Sequence, residues 1–165
     1  MSGFNANDVF EIARQIEKNG AAFYRNAAET VSDKISDKVS YNDQKDFLLE
    51  LAAMEDEHEK SFSELQKQLT EGEKGTTAFD PADENAAYLK ALADMRVFAD
   101  KEAPLDSFKQ IMLSAIQAEK DSIVFYLGMK AMVPEKLGKN RLDDIIKEEM
   151  GHIRLLAKKM AEASK

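Results

Sequence analysis

Apolar residues recur along most of this chain every three or four positions, the spacing that gathers them on one face of an α-helix. Four long segments carry such a stripe. The first, over about 7–31, has Phe10, Ala13, Ala21, Tyr24 and Ala28; the second, over about 42–69, has Leu48, Leu51, Met54, Phe62, Leu65 and Leu69. The third, over about 106–132, has Phe108, Met112, Ala115, Ile123, Tyr126 and Met129; the fourth, over about 141–161, has Leu142, Ile145, Leu156 and Met160. At about 1.5 Å per residue these helices are roughly 30–40 Å long, the length of a bundle helix. Pro134, Gly138 and Asn140 break the chain between the last two, with Asn140 placed to cap the fourth. Gly72, Gly75 and Pro81 break it after the second. The stretch 71–105 is too long for a tight turn, and Asp80 as N-cap with Pro81 at the first position predicts a short helix near 85–98. A long connection in the middle of a four-helix chain is what a crossover needs: a hairpin, a return along the bundle, a second hairpin. The expected fold is all-α, an antiparallel four-helix bundle forming one domain over 1–165.

Composition agrees and narrows the chemistry. Only 7 Gly and 3 Pro punctuate 165 residues, and 44% are hydrophobic, enough for a core without staples. Against 23 basic residues stand 31 acidic ones, a net charge of −8. Such a chain lacks the basic footprint of a nucleic-acid binder and is repelled by anionic membrane surfaces. No apolar run approaches the roughly 20 residues of a membrane span, and the first eight residues lack a secretory layout. A soluble, cytoplasmic protein is the expectation. With no cysteine, disulfides, thiolate metal sites and cysteine nucleophiles are all excluded. Two histidines remain.

Acid interrupts every apolar stripe. Glu17 lies four after Ala13 and seven before Tyr24; Glu119 lies four after Ala115 and seven before Tyr126. Glu55 and His58 fall between Leu51 and Phe62, and Glu149 and His152 between Ile145 and Leu156. Residues three apart on a helix point the same way, so four carboxylates and two imidazoles face the axis of one bundle. Unpaired, such carboxylates cost several kcal/mol each or stay protonated. Two divalent cations balance four carboxylates, and two trivalent ions with one bridging oxide carry the same net charge. A set of nitrogen and oxygen donors admits iron or manganese, with zinc as a substitute. Glu-x-x-His alone is weak evidence, but here it precedes both of the two histidines. Independently, QIEKNGAAFY (15–24) and QAEKDSIVFY (117–126) share Gln, Glu, Lys, Phe and Tyr at matching positions. The chain therefore reads as a duplicated hairpin.

One Glu from each of two helices and Glu-x-x-His from each of the others resembles the ferritin-like di-iron carboxylate pattern. Within that group, EKDSIVFY, MEDEHEKSF and IIKEEMGHIRLL are similar to the rubrerythrin-related ferritin-like proteins, over essentially the whole chain. The resemblance implies two iron ions, with Glu17 and Glu119 as terminal ligands, Glu55 and Glu149 bridging, and His58 and His152 capping one metal each. It makes the same six residues the catalytic set. The implied activity is reduction of hydrogen peroxide, with O2 as the other candidate oxidant, by electrons from a rubredoxin-like donor, and the implied assembly is a homodimer. The sequence departs from the family twice. Ser122 stands where rubrerythrins usually carry an extra glutamate tied to redox-linked movement of one iron. No cysteines exist to hold a rubredoxin-type iron, so the donor is expected to be a separate protein. The alternatives are a ferroxidase that handles iron without turning over peroxide, and a redox-silent bundle holding a structural metal.

Other residues carry simpler readings. Tyr24 and Tyr126 either hydrogen-bond the acids two turns away or pack in the core. Glu148 competes with Glu149 for the inward position, and Glu149 is preferred because Glu55 also lies three before its histidine. Glu57 and Glu59 belong to a solvated face, the methionines to the core, and SDKISDK (32–38) to an exposed loop or helix end.

Overall fold

A computed structural model describes residues 5–34, 41–75, 84–94, 107–133, 136 and 139–163. All four long helices form: α1 (Ala6–Lys34), α2 (Tyr41–Lys67), α5 (Phe108–Met132) and α6 (Lys139–Ala163), with the shorter α3 (Glu71–Gly75) and α4 (Glu84–Asp94) between the pairs. At α1 the start is a reciprocal cap: Asp8 N donates to Asn5 Oδ1 and Asn5 N to Asp8 Oδ2. Ser107 caps α5, accepting from Gln110 N at 3.2 Å. Asn140 does not cap α6; it lies inside the helix, which begins at Lys139, whereas a capping residue must keep non-helical backbone angles. The short helix in the crossover is present over Glu84–Asp94; Asp80, Pro81 and 95–98 lie outside the described residues, as do 35–38 of the SDKISDK run. No sequence signal announced α3.

Contacts along the helices fix their directions. Gln66 donates to Asn7, Arg14 to Glu59 and Arg25 to Asp56, so α1 and α2 run antiparallel. Arg141 pairs with Ser61, Glu148 with His58, and Lys159 with Asp43, so α6 is antiparallel to α2. Tyr24 meets Glu119 and Tyr126 meets Glu17, so α5 is antiparallel to α1. Helices α2 and α5 therefore run parallel, and the chain must return along the bundle between them, as a crossover requires.

Between the four helices the core includes Phe10, Leu48, Leu51, Phe62, Met112, Met129, Leu142, Ile145 and Leu156, all fully buried. On the outside of α5 lies α4. Its Leu89 is fully buried, and a Cβ added at Gly128 would come within 2.7 Å of Tyr88 Cε1 and 2.9 Å of Leu89 Cδ2. Glycine is what lets the two helices approach. One stripe residue departs from expectation: Met54 is 40% exposed. It stands at the edge of the stripe, beside a cavity between α2 and α6. No described helix is long and apolar enough to cross a membrane.

Candidate metal centre

The six acids and imidazoles singled out by the sequence meet in one cluster at the bundle axis. Glu17 comes from α1, Glu55 and His58 from α2, Glu119 from α5, and Glu149 and His152 from α6; all are buried, none more than 3% exposed. Each occupies a slot of its helix's apolar stripe, so the packing that buries the stripe carries the acid inward. Two overlapping groups of donor atoms result, each within 4.8 Å of one another: Glu17, Glu55, His58 and Glu149, and Glu55, Glu119, Glu149 and His152. The two residues common to both groups are Glu55 and Glu149. Both histidines turn Nδ1 inward. His58 Nδ1 is 3.1 Å from Glu149 Oε1 and 3.4 Å from Glu17 Oε2. His152 Nδ1 is 2.8 Å from Glu149 Oε2, 3.2 Å from Glu55 Oε1 and 3.5 Å from Glu119 Oε1. Their rings lie nearly parallel, centroids 5.5 Å apart.

The two tyrosines act across the bundle. Tyr24 of α1 donates its hydroxyl to Glu119 of α5, and Tyr126 of α5 donates to Glu17 of α1. Each acid thus has one oxygen held by the opposite helix, which orients the other toward the centre. Gly20, one turn beyond Glu17, keeps space for Glu55: a Cβ there would sit 3.1 Å from Glu55 Oε2. Its counterpart one turn beyond Glu119 is Ser122, buried, with its hydroxyl donated to Ala118 O of its own helix. Glu148, the rival of Glu149, points outward and meets the far nitrogen of His58 at 2.7 Å.

Electrostatics call for positive charge here. Burial, then the charge of Glu149, raises the Glu17 carboxyl above its ordinary range. Burial, then Glu149 and Glu119, raises Glu55 well above it, and burial with Glu149 lifts Glu119 to about 8. For Glu149 burial also pushes upward, but the imidazoles of His152 and His58 close beside it outweigh burial and hold this carboxyl at about 2. Desolvation would lower His58, yet Glu149 and Glu17 carry it to about 10; His152 is raised as well, by Glu119, Glu149 and Glu55 against its own desolvation. Glu17 Oε2, Glu55 Oε1, Glu119 Oε2, Glu149 Oε2 and His152 Nδ1 are buried without a hydrogen-bond partner. Proximity of His152 Nδ1 to Glu149 does not supply hydrogen-bonding geometry. Orphaned atoms of this kind are rare in folded proteins, and five of them on the residues of two overlapping donor groups fit a pair of cations. Four carboxylates neutralise two divalent ions, and neutral imidazole nitrogens complete an N/O set suited to iron or manganese.

A cavity of about 520 Å³ opens beside the cluster between α2 and α6, lined by Glu50, Ala53, Met54, Glu57, His58, Glu148 and His152. The outer edges of both imidazoles form part of its wall.

An antiparallel four-helix bundle with a crossover, closed around four glutamates and two histidines in a duplicated arrangement, defines a ferritin-like carboxylate protein. Comparison with known proteins narrows this. The profile of the rubrerythrin family matches residues 8–160, and the chain belongs to that family. The fold is shared with the crystal structure of a ferritin-like diiron-carboxylate protein from Thermotoga maritima, at a TM-score of 0.66 and 23% identity over 99% of both chains. No curated protein matches the chain by sequence. Sequence reasoning missed Gly20, Arg141 and Ser61 as neighbours of the site and weighed Glu148 only as a rival ligand. The duplication held a signal for Gly20, since it aligns with Ser122 in the repeated segment.

Proposed function

We propose that the cluster holds two iron ions and that the protein is a peroxide reductase. Glu17, Glu55, His58 and Glu149 would hold one ion and Glu55, Glu119, Glu149 and His152 the other, making Glu55 and Glu149 the bridges. Reduced iron bound there supplies two electrons which, with two protons, convert hydrogen peroxide to two waters. The chain's own residues prepare that chemistry. Apolar stripes above and below keep the acids dry, so their charge stays focused on the centre. Tyr24 and Tyr126 hold the outer acids by hydrogen bonds, and the duplicated acids balance charge equally for both ions. The cavity beside the histidines is the approach from solvent. In this reading the reducing electrons come from a separate rubredoxin-like protein, in a cytoplasmic setting, with the bundle working as a homodimer.

The observation that carries this reading is the pair of overlapping donor groups sharing Glu55 and Glu149. Elemental analysis after iron-supplemented expression should give two irons per chain. Stopped-flow mixing of the reduced form with peroxide should show oxidation far faster than that of free ferrous ion; an equal rate overturns the proposal. Ferroxidase action is favoured by one observation, the three carboxylates Glu50, Glu57 and Glu148 lining the cavity, which would draw ferrous ions inward. It predicts that O2 oxidises the iron as fast as peroxide does and that iron accumulates beyond two per chain.

A further inference from the structure

The cluster is duplicated, but what stands behind its two imidazoles is not. His58 presents Nδ1 to the cluster, and its Nε2 lies 2.7 Å from Glu148 Oε2. Glu148 is about half exposed, and its other oxygen lies 3.3 Å from Arg141 Nη1. Arg141 Nη2 donates to Ser61 Oγ at 3.0 Å, returning the chain of contacts to the helix that carries His58. Among the described residues the second half has no such chain. The two Glu-x-x-His motifs are 94 residues apart, and at that offset Glu148 corresponds to Met54, Arg141 to Phe47, and Ser61 to Leu155. All three polar members of the relay are replaced by apolar residues. Among the described residues no side chain bonds to His152 Nε2, although this imidazole lines the same cavity.

Resting on the reading of the cluster as a two-ion centre, we propose that Glu148 is a positioning residue that makes its two halves unequal: the position built from Glu17, Glu55, His58 and Glu149 takes its cation first and more tightly than the one built from Glu55, Glu119, Glu149 and His152. The reason is the tautomer. A carboxylate accepting from Nε2–H leaves Nδ1 as the nitrogen with the free electron pair, locks the ring in place and strengthens it as a donor. Arg141 holds Glu148 in place for that task. Among the described residues no acceptor stands behind His152, so its tautomer and ring orientation are fixed only when a cation arrives.

Stepwise titration of the cation-free protein with Co²⁺, followed by its visible absorption and by calorimetry, tests this without any turnover. Wild-type protein should bind two ions with dissociation constants at least about tenfold apart, and His152→Ala should keep the tighter one. Glu148→Ala, a helix-compatible change at a half-exposed position, should weaken the tighter constant by about 10–100-fold and leave the weaker one within about threefold, with Glu148→Asp recovering part of the loss. Two wild-type constants within threefold of each other, or a tighter constant untouched by Glu148→Ala in protein of unchanged helicity, overturns the inference while leaving the two-ion reading intact. Failure of the wild-type protein to bind Co²⁺ at all overturns both.

Discussion

The first hairpin, α1 with α2, and the second, α5 with α6, supply the same residues to the centre, yet they treat their shared acids in opposite ways. Glu149 of the second hairpin sits between both imidazoles, within 3.1 Å of one and 2.8 Å of the other. It is held ionised at about 2, the two histidines outweighing its burial. Glu55 of the first has one imidazole nearby, His152 at 3.2 Å, and its burial and acidic neighbours drive it toward the neutral form. A repeat in sequence therefore fixes which groups are present and leaves their charge states to three-dimensional neighbours. In the cation-free protein Glu149 is the anchor of the cluster and Glu55 its excess acid.

The largest expected effect separates those two acids. Glu149→Gln leaves two buried imidazoles without their common counter-charge; breaking a buried pair in this way costs about 3–5 kcal/mol, read as a fall in the melting temperature of the cation-free protein. Glu55→Gln removes an acid that burial already disfavours and should leave that melting temperature unchanged or higher. Both substitutions abolish binding of the second ion. Equal destabilisation by the two would break the comparison.

Changing pH should act next. In the folded, cation-free protein Glu119 is raised from 4.5 to about 8 and His58 from 6.5 to about 10, so both keep protons that the unfolded chain has released. Their contribution to stability is complete below 4.5 and 6.5 and is lost as pH rises through 8 and 10 respectively. The cation-free protein should melt at a lower temperature at pH 9 than at pH 6. With cations bound the protons are already gone, so the decline should flatten, and affinity for the ions should climb across the same range. A melting temperature that rises with pH in cation-free protein would contradict the proton-holding cluster.

Smaller effects test the space around the acids. Gly20→Ala pushes against Glu55 and should cost about 1 kcal/mol or more together with weaker binding of both ions, since Glu55 belongs to both donor groups. Ser122→Ala, at the matching place in the second hairpin, loses only a bond to its own helix and should stay within about 1 kcal/mol, with ion binding unchanged; denaturant melts and Co²⁺ titration read both. Smallest is Met54→Glu, which places a carboxylate where symmetry with Glu148 would put it, behind His152. It should tighten the weaker Co²⁺ constant and draw the two constants together.

Much of this was legible beforehand because helical periodicity is a local property. Spacing alone assigned Glu17, Glu55, His58, Glu119, Glu149 and His152 to inward faces, and all six are buried. Spacing was less reliable at stripe edges, where exposure depends on how closely the neighbouring helix approaches: Met54 has the right period and lies at a cavity. It was silent on α3, and it assigned a cap to Asn140 that the helix start one residue earlier removes.

By itself, then, the sequence determined four long helices, a duplicated hairpin, the charge of the centre and the six residues that face it, because each depends only on which side of its own helix a residue occupies. Tertiary structure decided which residues stand at the same height on different helices. That made Glu55 and Glu149 common to both donor groups, crossed the tyrosines onto the opposite acids, and put Glu148, Arg141 and Ser61 behind one histidine alone. Relative height is set by how stripes interlock between helices far apart in the chain, and no period within a single helix contains that information.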